Sequence, residues 1–333
     1  MGGNALKSVS TRRYQKDEYE EIKNEVLYKL NKKNIICQST ISYKSKDSFG
    51  DLDILVLKRM DMDEFIPIAR DIFQPKEEYR NGNCFTINYK ELQVDFILIK
   101  PEEWDTSIVY YSYNELSNFM GRIARKLGFR YGNYGLAYTF PEGERVIVSR
   151  NVKKIFTFLG FNHDRYLQGF NTLEDIFNYV IDSEYYNKEL FLFKNLNHPT
   201  RARNMKRKSY IQFVEYIQTK KITKEDYSFN NKEFYLTMAF NFFDEEAFKV
   251  RYDEIVSIKN LKMKAKEFFN GNLISLYYPN VDHKEYSFLI SNYRRAIEKI
   301  INSDDELCFE KYLINIGDPE LIMNEFGYIN NLN

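Results

Sequence analysis

The 333 residues carry 48 basic and 48 acidic side chains, so the chain is no polycation and any affinity for nucleic acid must come from local patches. Three scattered cysteines, Cys37, Cys84 and Cys308, form no CxxC pair, which argues against zinc and fits a reduced, intracellular and cytoplasmic setting. No apolar run reaches the roughly 18 residues of a membrane span, and the N-terminus (Met1-Gly2-Gly3-Asn4-Ala5-Leu6) has neither a signal core nor the Ser or Thr preferred at a myristoylation site.

In chain order, Tyr19, Ile22, Val26, Leu27 and Leu30 recur at helical spacing and predict an amphipathic helix over 16–32. Residues 34–37 read as a short strand and Ser39–Phe49 as a polar loop ending at Gly50. Asp51–Leu57 reads as a buried strand, 61–73 as a helix, and Cys84–Tyr89 and Leu92–Ile99 as two strands joined by a tight turn at Lys90-Glu91. Residues 113–127 and 149–159 are helical in pattern, and the chain from about 170 onward is mostly helical. The expected fold is α+β: a small mixed β-sheet with flanking helices over residues 1–100, an extension over 101–165, and a mostly helical region over 166–333.

Three carboxylates carry the chemistry. Asp51 and Asp53 are two apart at the start of a strand, so both project to one face. Gly50 before them leaves room for a phosphate to approach. Asp95 lies within Gln93-Val94-Asp95-Phe96-Ile97-Leu98, a second apolar strand, where a bare carboxylate is costly unless paired or bound to metal. An isolated DxD is a short and common motif. The preceding glycine, the apolar strand and the third Asp downstream are what favour metal ligation over strand capping or a buried salt bridge. Oxygen ligands suit Mg²⁺, with Mn²⁺ as a substitute, and two such ions can stabilise both the attacking and the leaving oxygen of a phosphoryl displacement.

The run Tyr43-Lys44-Ser45-Lys46-Asp47-Ser48-Phe49-Gly50-Asp51-Leu52-Asp53 resembles the signature of the DNA polymerase β-like nucleotidyltransferases. In that family a Gly-Asp-x-Asp strand follows a basic loop, and a third Asp follows on a neighbouring strand. The resemblance implies a family X-like palm with Asp51, Asp53 and Asp95 as catalytic metal ligands. It also implies Lys44, Ser48 and Gly50 beside the triphosphate. Tyr110, Tyr111 and Asn118 would then lie near sugar and base, and Arg122 near the nucleic acid. The glycine–serine turn of the family is replaced here by Gln38-Ser39 or Thr40-Ile41, and no glycine follows the Tyr110-Tyr111 pair.

Further along, Arg201, Arg203, Lys206, Arg207 and Lys208 form a basic cluster, followed by Tyr210 and Phe213. Such a cluster is expected to hold phosphates while aromatics stack on bases, although a solvated helix start is the commoner meaning of a charge run. Lys259, Lys262, Lys264 and Lys266 read as the outer face of a helix. The expected activity is transfer of a nucleoside monophosphate from an NTP or dNTP to a DNA or RNA 3′ hydroxyl. The basic cluster would hold the polymer away from the nucleotide. The rival readings are nucleotidylation of a small molecule or protein, and a nucleic-acid-binding module on an inactive fold.

Overall fold

The computed structural model describes residues 5–244 and 246–332, so Met1–Asn4 of the N-terminal motif lie outside it. By internal contacts the chain divides into two units, residues 1–248 and 249–333. The boundaries expected near residues 100 and 165 fall inside the first unit.

A short strand β1 (Tyr14–Gln15) leads into helix α1 (Lys16–Lys32), whose Tyr19, Ile22, Val26 and Leu30 are buried as the spacing predicts. Strand β2 (Cys37–Ser39) begins three residues later than expected. β3 (Ser48–Phe49), inside the stretch read as loop, pairs antiparallel with β1. β4 (Asp51–Leu57) and helix α2 (Met62–Phe73) follow, the latter opened by an Asp61/Glu64 capping box. Then come β5 (Glu78–Asn81), β6 (Cys84–Tyr89) and β7 (Leu92–Ile99), the turn residues Lys90 and Glu91 both having positive φ.

The sheet order is β2-β4-β7-β6-β5. β4 and β7 are parallel and every other neighbouring pair is antiparallel. A parallel pair needs a crossover connection, and α2 lies on it. Side chains alternate, so Leu52, Ile54, Val56, Val94, Phe96, Leu98, Phe85 and Ile87 join α1 and α2 in one core. Truncating one of them, as in Leu52→Ala, costs roughly 2–5 kcal/mol. Asp51, Asp53, Gln93, Asp95 and Thr86 are left on the opposite face.

Helix α3 (Trp104–Tyr111), not anticipated, precedes helix α4 (Leu116–Lys126), which lies within the helix expected over 113–127. Tyr113 and Asn114, both at positive φ, separate them. A three-stranded sheet, not anticipated, follows: β8 (Phe129–Gly132), β9 (Gly135–Thr139) and β10 (Arg145–Ser149), ordered β10-β9-β8. Gly135 has φ +98°, and a Cβ there would meet the Ser149 carbonyl at 2.4 Å, so the β8–β9 turn requires glycine.

The rest of the unit is helical: α5 (Val152–Phe158), α6 (His163–Leu167), α7 (Leu173–Ile181), α8 (His198–Asn204), α9 (Lys208–Thr219) and α10 (Lys232–Phe243). Its core is aromatic, with Phe119 of α4 against the rings of Phe177, Phe191, Tyr210 and Phe213.

Helix α11 (Glu246–Phe268) runs into the second unit, followed by α12 (Gly271–Tyr277), α13 (Tyr286–Ile301), α14 (Cys308–Ile316) and α15 (Pro319–Ile329). Phe269, Ile274, Tyr293, Ile297, Phe309, Leu313, Met323 and Phe326 form its own core. Tyr293 and Tyr312 both donate hydroxyl hydrogen bonds to Glu325 there. Lys262, Lys264 and Lys266 are exposed on α11 and Lys259 is partly buried. The molecule is mixed α+β with a helical C-terminal region. Among the described residues, no helix is long and apolar enough to cross a membrane.

Candidate active site

The parallel register sets Asp53 opposite Asp95 and Asp51 opposite Gln93, and β6 places Thr86 opposite Asp95. Thr86, Asp95 and Asp53 therefore form a lateral row across three strands. Asp95 accepts a hydrogen bond from Thr86 Oγ1 at 2.6 Å and from Gln93 Nε2 at 2.9 Å, which fixes its carboxylate. The oxygen of the same Gln93 amide accepts the backbone N–H of Ala5 at 2.9 Å, so the N-terminal arm reaches the support of the site. Thr86 and Gln93 were not singled out in the sequence. Their signal was alternation, since both share the face of Asp95.

Burial raises the Asp53 carboxyl well above the usual carboxylate range, and Asp51 and Asp95 push it further in the same direction. Burial also raises Asp95, against the pull of its two donors. Among the described residues, the cation that pulls the Asp53 carboxyl back down is Lys46. Three oxygen donors short of positive charge are chemically suited to a hard divalent cation. Among the described residues the carboxylates do not close into a three-ligand cluster, and Asp95 is held by Thr86 and Gln93.

Asp51 and Asp53 line a cavity of about 630 Å³. Helix α4 contributes to the same lining. That helix buries Leu116, Phe119, Met120, Ile123 and Ala124, which turns the stripe Asn118, Gly121, Arg122 and Arg125 to the cavity. Arg130 and Tyr131 come from β8, Arg203 from α8, and Arg207 from just before α9. Tyr110 and Tyr111 at the end of α3 also line it, their rings edge to face at 5.2 Å. Burial, with a contribution from Asp53, raises the Tyr111 phenol to about 12.

The lysine that faces the cavity is Lys46, not Lys44. Backbone bonds from Tyr113 to Ile41, Lys44 to Phe170 and Ser45 to Asn171 hold the 40–47 loop. They leave Lys44 exposed and place Lys46 Nζ 4.4 Å from the centre of the Phe49 ring. Burial lowers the Lys46 pKa while Asp51 and Asp53 oppose that shift. Ser48 lies outside the lining: its hydroxyl accepts from Arg13 Nε at 2.8 Å. Gly50 is buried between β3 and β4. Loop folding decides which lysine faces in, and local sequence does not reveal it.

The remaining expected contacts divide sharply. Asn118 is in the lining, but its amide is spent on Glu115, Asn204 and Arg203. Arg122 donates twice to the Leu190 carbonyl. Arg203 and Arg207 face the cavity, Arg207 paired with Glu115 at 2.8 Å. Arg201 instead ties together the carbonyls of Phe193, Lys194 and Leu196. Lys206 and Lys208 are exposed and outside the lining. Tyr210 and Phe213 are fully buried, with the Tyr210 hydroxyl on the Phe191 carbonyl at 2.8 Å, so neither is free to stack on a base. The expected separation of polymer cluster from nucleotide site also fails for Arg203 and Arg207, which share the cavity of Asp51 and Asp53.

No protein-family model and no curated protein matches the chain.

Proposed function

We propose that the chain is a metal-dependent nucleotidyltransferase with a DNA polymerase β-like palm. It moves a nucleoside monophosphate from an NTP or dNTP to a nucleic-acid 3′ hydroxyl. The observation that carries this reading is a single cavity whose lining joins Asp51 and Asp53 with Arg122, Arg125, Arg130 and Arg203. Carboxylates and arginines in one cavity suit a substrate that needs both a cation and direct contacts to phosphate.

Asp51, Asp53 and Asp95 would hold Mg²⁺, or Mn²⁺ in its place. Bound there, the metal would supply Lewis acidity, lowering the pKa of the attacking hydroxyl and neutralising charge on the triphosphate. The hydroxyl oxygen forms a bond to the α-phosphorus, its proton passing to the carboxylate cluster. The bond from that phosphorus to the bridging oxygen breaks, and pyrophosphate leaves with the electron pair. Lys46 and the arginines bind and orient the phosphates. Thr86 and Gln93 hold Asp95 in place, and Tyr110 and Tyr111 form the wall beside the reacting groups.

The test offers labelled NTPs and dNTPs, with Mg²⁺, to the full chain with DNA, with RNA and with no polymer. Metal-dependent label on a polymer end, lost in Asp53→Asn, is the expected result. Label on protein or a small acceptor alone would move the activity to another acceptor, and no transfer under any condition would overturn the reading.

A further inference from the structure

The wall of arginines has a second side. A neighbouring cavity of about 580 Å³ is lined by Arg122, Arg125, Lys126, Phe229 and Lys232, among others. Arg122 and Arg125 line both cavities, one turn apart on α4. Among the described residues, no carboxylate partner is found for Arg125, Arg130, Lys126 or Lys232. The carboxylate in the second lining, Glu189, is engaged by Lys194 at 3.2 Å and by Asn195 at 2.8 Å. Burial lowers the pKa of Arg125, and the neighbouring charges of Arg130, Arg122 and Arg203 add to that shift. Lys126 Nζ sits 5.3 Å from the centre of the Phe229 ring, a half-buried aromatic in the wall.

Each cavity falls within the size range of small-ligand sites, and the two share a cationic divider. Cations gathered in two adjoining linings without a carboxylate partner suit an anion, and one phosphate cannot occupy both sides of the divider. We propose that the second cavity binds the penultimate part of a single-stranded nucleic acid, with consecutive phosphates on either side of Arg122 and Arg125. Lys126 and Lys232 hold the backbone, and Phe229 offers a face for a base. That the strand's terminal hydroxyl lies toward Asp51 and Asp53 rests on the nucleotidyl-transfer reading. The binding itself does not.

The test measures binding of fluorescent 12-mers of deoxythymidylate and of uridylate to the full chain in EDTA, over a range of salt, beside the mononucleotides TMP and UMP. The 12-mers are expected to bind at least about tenfold more tightly than the mononucleotides. The variant Lys126→Ala/Lys232→Ala should flatten the log–log salt slope by about 1.4, at roughly 0.7 per phosphate contact on a single strand. Phe229→Ala should weaken the 12-mer by about five- to tenfold or more, the cost of one stacked base. Circular dichroism and thermal melting confirm that each variant is folded. Unchanged slope and affinity in folded variants, or 12-mers bound no more tightly than mononucleotides, would overturn the proposal. Because EDTA removes catalysis, a chain that binds 12-mers through these residues but transfers no nucleotide would keep this inference and lose the other. The deoxythymidylate and uridylate arms separate DNA from RNA.

Discussion

Asp53 is destabilising where it stands. Its carboxylate is buried beside Asp51 and Asp95, and the folded, metal-free protein resists ionising it. Asp53→Asn removes one of three like charges with little change in size. The variant should melt higher than the parent in EDTA, by roughly 2–4 °C for each kcal/mol of repulsion relieved. Mg²⁺ should raise the midpoint of the parent and leave the variant unmoved, while transfer falls by roughly 100- to 1,000-fold. A parent whose melting ignores Mg²⁺ would remove the metal from the site. Lys46 and Lys44 make a paired test at the same scale. Lys46→Ala should raise the KM for nucleotide, whereas Lys44→Ala, on an exposed side chain outside the cavity, should leave both kcat and KM near the parent.

Helix α4 was legible as a helical pattern and β4, β6 and β7 as strands, because apolar spacing and short apolar runs are properties of neighbouring residues. The shared face of Asp51 and Asp53 followed from period two alone, and Asp95 from its apolar surroundings. What local pattern could not supply was pairing at a distance: Lys46 turned inward by a loop tied to residues 113, 170 and 171, and β8–β10 formed from segments only four or five residues long. The basic cluster shows the same limit, since Arg201 caps carbonyls and Arg203 faces phosphate-sized space two residues away. Gly121 makes α4 testable. A Cβ there meets nothing closer than the Tyr131 carbonyl at 3.9 Å, so Gly121→Ala should stabilise the helix by up to about 1 kcal/mol. Gly121→Leu should instead fill the cavity and weaken nucleotide binding, measured by titration. The N-terminal arm is a second case. Glu77 accepts the backbone N–H groups of Lys7, Ser8 and Val9, which hold its carboxyl down at about 2 against an ordinary value of 4.5. A depressed carboxylate stabilises above its unfolded pKa and loses that effect as pH falls through the folded one. The arm should therefore release as pH drops from about 4.5 to 2. At neutral pH, Glu77→Gln should speed hydrogen exchange at Lys7, Ser8 and Val9. Unchanged exchange there would show that the arm is held by other contacts.

At the scale of the molecule, both cavities lie wholly within residues 1–248, and the second unit has a core of its own. A chain ending at Phe248 should keep its 12-mer affinity and its salt slope. Loss of either would assign polymer binding to residues 249–333. The parallel pairing of β4 with β7 has one more consequence, for the order of events during synthesis. When residue 90 has just been made, Asp51 and Asp53 exist, but the strand that will lie between β4 and β6 does not. The two carboxylates then have neither Asp95 beside them nor the arginines that share their cavity. Because β7 is the central strand and its parallel partner precedes it by a full crossover, closing the sheet is a long-range step, slow relative to forming α1 or α2. A nascent chain is thus spared the cost of crowding three carboxylates until the core that holds them together is complete.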